Sequence, residues 1–225
     1  MFTSNNGIYH ISKQLSDKTG FINASIKQIS NDKIIAYESI KSNNTTYLAT
    51  NKGLCILVND IIRIIDENYT EPIYHIEIDN TNTIWFATDN AIFKMSSNME
   101  IEKYHTFINK TINDFHIICG VKFVALNDGL YYEKSVNNFI KLTLNDFTAQ
   151  KIIVKSQSNS NADIYIAGSS SNDHIATTSA FISCQFTDKN YDFIDGLSTI
   201  SSFNDAGSYP VGMIQLKDKY YAFVN

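Results

Sequence analysis

The chain has 225 residues, of which 44% are hydrophobic, and it carries 18 Lys and Arg against 23 Asp and Glu, for a net charge of −5. This apolar fraction excludes a collagen-like or fully disordered chain, and the length is enough for one sizeable core. The excess of acidic side chains argues against a nucleic-acid partner, because phosphate binding needs clustered Lys and Arg.

The sequence contains no visible targeting or membrane-spanning segment. Its first residues, Met-Phe-Thr-Ser-Asn-Asn-Gly, lack the cationic stretch and the apolar run of a secretory signal. The longest apolar runs fall far short of the ~20 residues that a transmembrane helix needs. We therefore expect a soluble protein without membrane insertion, located in the cytoplasm or within an assembled particle.

A short pattern of an apolar strand end, a turn and a second apolar strand recurs along the chain. Its copies read Leu-Ala-Thr-Asn-Lys-Gly-Leu-Cys at 48–55, Phe-Ala-Thr-Asp-Asn-Ala-Ile-Phe at 86–93 and Val-Ala-Leu-Asn-Asp-Gly-Leu-Tyr at 124–131, with an N-terminal copy at 2–9. The turn residues Gly7, Gly53, Ala91 and Gly129 are spaced by 46, 38 and 38 residues. Repeats of ~40–45 residues with four short strands each are typical of β-propeller blades.

The predicted strands form repeating units along the chain. In chain order they are half a unit (7–12 and 21–26), four complete units (about 34–66, 73–104, 112–142 and 151–186) and a second half (211–216 and 219–224). The sequence thus predicts an all-β fold: a five-bladed β-propeller with four-stranded antiparallel blades, a single domain over 1–225. Pairing the N- and C-terminal strands in one blade would close the ring and remove exposed sheet edges. One point stands against it: 2–4 and 222–224 match the same strand.

Small residues mark the tight positions of each unit. Gly53 and Gly129 follow two turn residues, where a tight hairpin needs a positive φ that Gly adopts without steric cost. At Ala91, either Asn90 takes the left-handed conformation or the turn is of another type. Small residues also recur in the strand before the turn, where neighbouring blades are expected to approach closely: Ala49, Ala87, Ala125 and Ala167.

The repeat resembles the two-component-regulator propeller repeat, whose consensus is roughly Leu-Trp-Ile-Gly-Thr, a turn, and Gly-Leu-Tyr. The best matches are the segment Ile84-Trp85-Phe86-Ala87-Thr88 and the pair Gly53-Leu54, with Ala where the family has Gly. The resemblance covers nearly the whole chain and implies a propeller fold. It says little about function, since propellers host many unrelated activities.

Catalytic and metal-binding motifs are absent from the sequence. There is no Gly-x-Ser-x-Gly, Walker loop or His-Glu-x-x-His, and Cys55, Cys119 and Cys184 are too far apart for a zinc or redox pair. The cysteines are expected to be small buried hydrophobes. In the repeat alignment His75 corresponds to Asn113, so the histidines do not share equivalent positions. We expect no enzyme activity, no metal and no cofactor.

One segment, 187–210, exceeds the repeat and is rich in aromatic residues. Long connections in compact domains are usually functional or disordered, and this one holds many aromatics for a plain linker. Its candidate partner-binding side chains are Tyr191, Phe193, Asp195 and Tyr209. Two interpretations remain open, namely a partner-contact arm and a flap that covers the closing blade.

The function predicted from these features is a non-enzymatic module for protein interaction or assembly. A small propeller scaffold of this kind belongs in a larger complex, and a phage particle is one example. The alternative is a glycan-binding propeller, in which exposed aromatics such as one of Tyr131 and Tyr132 stack on sugars. A glycosidase with two carboxylates is the third interpretation. The expected partner is a protein, or a carbohydrate in the alternative.

Overall fold

The computed structural model describes residues 2–4, 7–13, 24–30, 33–142, 147–157, 161–170, 178–187, 198–203, 210–216 and 219–224. Regular structure in these residues consists of β-strands, numbered β1 to β21 here. Among the described residues, no helix has the length and apolar character to cross a membrane. The chain divides into two compact units, Met1–Glu102 (unit 1) and Lys103–Asn225 (unit 2).

Unit 1 contains three antiparallel sheets, each ordered as a meander. The first consists of β1 (Phe2–Ser4), β2 (Gly7–Lys13) and β3 (Ala24–Gln28). The second consists of β4 (Ala36–Ser42), β5 (Thr45–Thr50), β6 (Gly53–Val58) and β7 (Ile61–Ile64). The third consists of β8 (His75–Ile78), β9 (Ile84–Ala87), β10 (Ala91–Met95) and β11 (Ile101–Thr106), and the boundary between the units falls within β11.

Unit 2 continues the same pattern with two further four-stranded sheets and a strand pair. The first sheet consists of β12 (Ile112–Ile118), β13 (Val121–Leu126), β14 (Gly129–Ser135) and β15 (Asn138–Lys141). The second consists of β16 (Phe147–Gln157), β17 (Asn161–Ser170), β18 (Thr178–Thr187) and β19 (Ser198–Phe203). The pair consists of β20 (Pro210–Leu216) and β21 (Lys219–Val224).

The prediction of an all-β fold with four-stranded antiparallel sheets is confirmed, and the meander order is that of propeller-like blades. Two details differ from the expected units. The fourth strand of the last complete sheet, β19, lies at Ser198–Phe203, inside the segment 187–210 that the repeat left unassigned. Residues 2–4, which match the same strand as 222–224, pair with β2 between Phe2–Tyr9 and Ser4–Gly7.

The turn glycines have the backbone conformation that the sequence predicts. Gly53 has a φ of 88° and Gly129 a φ of 148°. At Ala91 the second alternative holds, because Asn90 has no positive φ. There Ala91 N donates to Thr88 Oγ1 at 3.2 Å, and Thr88 N donates to Ala91 O at 2.9 Å, which closes a different turn.

Each core of unit 1 lies between two successive sheets. Ala49 and Leu54 of the second sheet pack with Ile76, Phe86 and Phe93 of the third. A further cluster joins the first sheet to the second through Ile8, Ile34, Leu48 and Cys55. Because Ala49 is fully buried at such a junction, a larger side chain there would separate the sheets. This confirms the close approach predicted from the recurring alanines. Cys55 is buried as expected, whereas Cys119 is only partly buried.

Unit 2 has an equivalent core between its two four-stranded sheets. Ala125 and Leu130 pack with Ile152, Ile164 and Ile166, and all five are buried. The inter-sheet position of Ala125 repeats that of Ala49. Within each unit, successive sheets therefore bury apolar residues against each other, as blades of a propeller do.

Candidate functional site

Acidic and basic residue types alternate at one position that recurs in the strand register of each four-stranded sheet. In each four-stranded sheet this residue lies on the first strand, opposite the recurring Ala of the second strand. The four residues are Glu38, His75, Asp114 and Lys151. A single-residue bulge precedes Glu38, Asp114 and Lys151. His75 is therefore equivalent to Asp114 in the structure, whereas the repeat alignment matched it to Asn113. The sequence spacing of 38 residues conceals this shift.

In unit 1, Glu38 of β4 ties its strand to β8 of the following sheet. Its Oε1 lies 3.1 Å from His75 Nδ1, and its Oε2 accepts a hydrogen bond of 3.1 Å from Ile76 N. Tyr37 and Tyr74, one residue earlier on each strand, place their ring centroids 4.9 Å apart. Glu38 thus satisfies a backbone donor at the facing edge of β8.

In unit 2, Asp114 of β12 repeats this arrangement toward β16. Ile152 N donates to Asp114 Oδ2 at 2.7 Å, and Lys151 Nζ donates to Oδ1 at 2.8 Å. The Asp114 side chain is fully buried, and His116 Nε2 lies 3.5 Å from Oδ2. We call these two arrangements the carboxylate latches. Their carboxylates join neighbouring strands and are therefore structural.

A partly exposed aromatic cluster in unit 2 surrounds the buried ring of Phe107. The Phe107 ring centroid lies 4.5 Å from that of His105, 5.1 Å from Phe139 and 6.2 Å from Tyr131. His105 and Phe139 also contact each other, at 4.7 Å. Because β11, the 107–110 turn, β14 and β15 all contribute side chains, the cluster is held rigidly by several elements.

Lys110, Asp128 and Tyr131 form a compact network at one side of this cluster. Lys110 Nζ donates to Asp128 Oδ2 at 2.8 Å and lies 4.3 Å from the centre of the Tyr131 ring. Tyr131 Oη donates to the same Asp128 oxygen at 3.0 Å. Lys110 Nζ also donates to Tyr131 Oη at 2.5 Å, so the ammonium group lies at the hydroxyl end of the ring.

The protonation states of this network follow from its mutual hydrogen bonds. Burial lowers the pKa of Lys110, but hydrogen bonds to Asp128 and Tyr131 outweigh burial and raise that pKa. Burial raises the pKa of Asp128, but the bonds from Lys110 and Tyr131 outweigh it and hold that pKa below its usual value. Burial, aided by the Asp128 charge, raises the pKa of Tyr131. At neutral pH Lys110 is therefore an ammonium group, Asp128 a carboxylate and Tyr131 a neutral phenol.

A buried ion pair holds the β14–β15 hairpin next to the cluster. Lys122 Nζ donates to Glu133 Oε2 at 2.7 Å, and both residues are 9% exposed. Glu133 Oε1 accepts hydrogen bonds from Tyr104 Oη and, at 2.8 Å, from Asn137 N. Burial, together with the bond to Glu133, raises the pKa of Tyr104 to about 12. The hairpin turn that carries Val136 is thus fixed in place.

Two apolar side chains project from turns that flank this cluster. Ile108 is 77% exposed and follows Phe107, while Val136 is 85% exposed and precedes Asn137. Asn137 is joined to the cluster through a hydrogen bond between its side chain and His105. The term aromatic surface is used below for His105, Phe107, Tyr131 and Phe139 together with Ile108 and Val136.

The sequence did not single out this aromatic surface. Its residues come from four elements separated by up to 34 positions, and no repeat or motif connects them. The candidate residues that the sequence did nominate, Tyr191, Phe193, Asp195 and Tyr209, lie outside the described residues. The signal available beforehand was the pair of apolar residues at polar turns, Ile108 and Val136.

No protein-family model matches the chain, and neither does any curated protein. Solved structures do match its fold. The extracellular domain of BT4673 from B. thetaiotaomicron matches in two crystal structures, which describe it as a one-component and a hybrid two-component system. Their TM-scores are 0.53 and 0.52, at 15% identity, over 85% of this chain and 33% and 32% of theirs.

BBS1N, crystallised in complex with ARL6DN, matches with a TM-score of 0.57 at 12% identity, over 83% of this chain and 59% of that one. The chain therefore spans about a third of the BT4673 domain and 59% of BBS1N. At such identities the likeness concerns the fold alone. Together with the meander sheets, it supports a propeller-like fold, as the repeat resemblance implies.

Proposed function

We propose that the chain is a non-enzymatic protein-interaction module that contacts its partner through the aromatic surface of unit 2. The observation that carries this proposal is the exposure of Ile108 and Val136 beside a rigid aromatic cluster. Protein interfaces are enriched in aromatic residues at their core, and exposed apolar side chains grouped on a surface mark binding sites.

The proposed architecture is a closed ring of five blades formed by the whole chain, 1–225. In it, β20 and β21 complete the sheet that β1 to β3 begin. The neighbour BBS1N, crystallised with ARL6DN, supports the idea that a fold of this kind presents a surface to another protein. The residues Tyr191, Phe193, Asp195 and Tyr209 of segment 187–210 are a second proposed contact, and the module is proposed to be part of a larger particle.

The described contacts favour a protein over a glycan as the partner. Tyr132 is only 7% exposed and offers no ring face to stack on sugar, and the hydroxyl of Tyr131 is already engaged by Lys110 and Asp128. The recurring turn residues are also engaged, since Asn51 and Asn127 accept hydrogen bonds from Ile35 N and Thr111 N.

Co-purification from the native cells with a matched pair of variants tests this function. The double variant Ile108→Ser/Val136→Ser removes the two exposed apolar side chains, and Ile61→Ser, at a 54% exposed position of unit 1, is the control. We expect a stoichiometric protein partner with the wild type and the control, and its loss with the double variant. Equal retention by all three proteins, or no stoichiometric partner with any of them, would contradict the proposal.

A further inference from the structure

We infer that the partner segment bound at the aromatic surface is an extended polypeptide in which acidic and apolar residues alternate along one face. This inference rests on the function proposed above and adds the chemistry of the partner. Residues 103–142 contain five Lys and three carboxylates, whereas the whole chain has a net charge of −5. The segment that forms the aromatic surface is therefore basic in an acidic chain.

The three carboxylates of this segment are already engaged by lysines. Asp114 pairs with Lys151 at 2.8 Å, and Asp128 pairs with Lys110 at 2.8 Å. Glu133 pairs with Lys122 at 2.7 Å and is almost fully buried. The acidic groups of 103–142 are thus neutralised within the fold, so the charge presented to a partner is positive.

Two further lysines lie next to the apolar positions of the surface. Lys134 is exposed, two residues before Val136, and has no ion-pair partner among the described residues. Lys141 of β15 pairs in register with Tyr131 and lies two residues after Phe139, so that Phe139 and Lys141 share a face of the strand. Apolar and cationic side chains therefore alternate across this surface.

The strand order indicates an extended partner. β15 is the last strand of its sheet and, among the described strands, pairs with β14 alone. A peptide added along such an edge gains main-chain hydrogen bonds, and its alternate side chains face the sheet surface. Apolar side chains of the peptide would then pack near Phe139 and Val136, and carboxylates would reach Lys134 and Lys141.

Fluorescence anisotropy with two synthetic peptides tests the inference. The probe is a short peptide of the repeating pattern Leu-Thr-Glu-Thr, in which Leu and Glu alternate on one face of an extended chain, and its counterpart has Lys in place of Glu. For the wild type we expect the acidic peptide to bind about tenfold more tightly than the basic one, with weaker binding when salt is raised from about 0.05 M to about 0.3 M. The variant Lys134→Glu/Lys141→Glu should reverse the preference, and Lys41→Glu, an exposed position of unit 1, should not.

The outcomes separate this inference from the function on which it rests. A preference for the basic peptide, equal binding of both peptides, binding of neither, or a reversal that Lys41→Glu reproduces would overturn the acidic partner. The function itself fails only if the co-purified partner is retained after Ile108→Ser/Val136→Ser or is not found at all. If the partner is lost with that double variant but the protein shows no preference for the acidic peptide, the interaction function stands and the acidic ligand is rejected.

Discussion

Met99 occupies a backbone conformation in which Asn or Gly is the usual residue. Its φ is 65°, and its N–H closes the β10–β11 turn on Ser96 O at 3.0 Å. Asn82 has the same role in the β8–β9 turn, with a φ of 63° and a bond to Asp79 O at 3.0 Å. A left-handed conformation is unfavourable for side chains other than Gly, Asn and Asp. Met99 is therefore strained, and its side chain is 51% exposed.

Exchanging these two residues measures the strain directly. We expect Met99→Asn to raise the free energy of unfolding by about 1 kcal/mol, because Asn tolerates the left-handed region. The reciprocal control Asn82→Met should lower it by a similar amount. Urea unfolding followed by circular dichroism provides both values, and a loss of stability in Met99→Asn would contradict the strain argument.

Gly53 combines a positive φ with a close approach of another backbone segment. A Cβ at this position would lie 2.4 Å from Tyr69 O. Gly120 is a matched control, since its φ of 80° is similar but a Cβ there meets nothing within 4 Å. We expect Gly120→Ala to lower the free energy of unfolding by about 1 kcal/mol, because of its positive φ alone. Gly53→Ala should lower it by clearly more than Gly120→Ala, because the added Cβ also meets Tyr69 O. Equal effects in urea unfolding would show that the close approach is not a constraint.

Among the elements, the first strands of adjacent sheets are joined by the carboxylate latches. Asp114 is fully buried with Lys151 and Ile152 N, whereas the Glu38 side chain is 32% exposed. Removing Asp114 leaves the buried Ile152 N–H without an acceptor, at a cost of about 1–3 kcal/mol, whereas the Lys151 side chain is 34% exposed and can be solvated. We expect Asp114→Ala to lower the free energy of unfolding by about 3 kcal/mol and Glu38→Ala by about 1 kcal/mol.

Urea unfolding together with hydrogen exchange checks the latch prediction. The Ile152 amide should lose protection in Asp114→Ala, and the Ile76 amide should lose it in Glu38→Ala, because each amide donates to the deleted carboxylate. An equal cost for the two variants, or unchanged exchange at both amides, would mean that the latches do not hold these strands.

The Asp79 carboxylate in the β8–β9 turn makes the free energy of unfolding depend on pH. Burial raises the pKa of Asp79, but hydrogen bonds from Thr81, Trp85 and Thr83 outweigh it and hold that pKa below its usual value. A lowered folded-state pKa means stability that is present at neutral pH and lost as the pH falls below about 4.

Asp79→Asn removes this titration. We expect the wild type to lose more unfolding free energy than Asp79→Asn between about pH 6 and pH 3, as measured by urea unfolding at each pH. Asp89→Asn, an exposed position of the next turn, is the control and should follow the wild type. Parallel curves for all three proteins would contradict the role of Asp79.

The sequence predicts the elements well where the signal is local. The alternation of apolar residues, the turn glycines and the small Ala before each turn indicate the sheets and their close packing. The strand register that places the carboxylate latches cannot be predicted from the sequence. The bulges at Tyr37 and Asn113 shift the strand pairing by one residue without changing the repeat length. The network of Lys110, Asp128 and Tyr131 is hidden for another reason, since it depends on long-range contacts and no repeated pattern specifies them.

At the scale of the whole molecule, the proposed architecture is one closed ring whose blades are the successive sheets. Each described core lies between one sheet and the next, and the solved structures that match share a propeller-like arrangement over most of this chain. A ring in which β20 and β21 join β1 to β3 keeps the 225 residues compact. An open row of sheets would leave two exposed edges and an elongated particle.

Small-angle X-ray scattering of the monomeric chain tests this ring most directly. A compact domain of this length has a radius of gyration of about 17 Å, and we predict a value within about 2 Å of that figure with a symmetric distance distribution. A monomer with a radius of gyration above about 22 Å and a long tail in the distance distribution would contradict the closed ring.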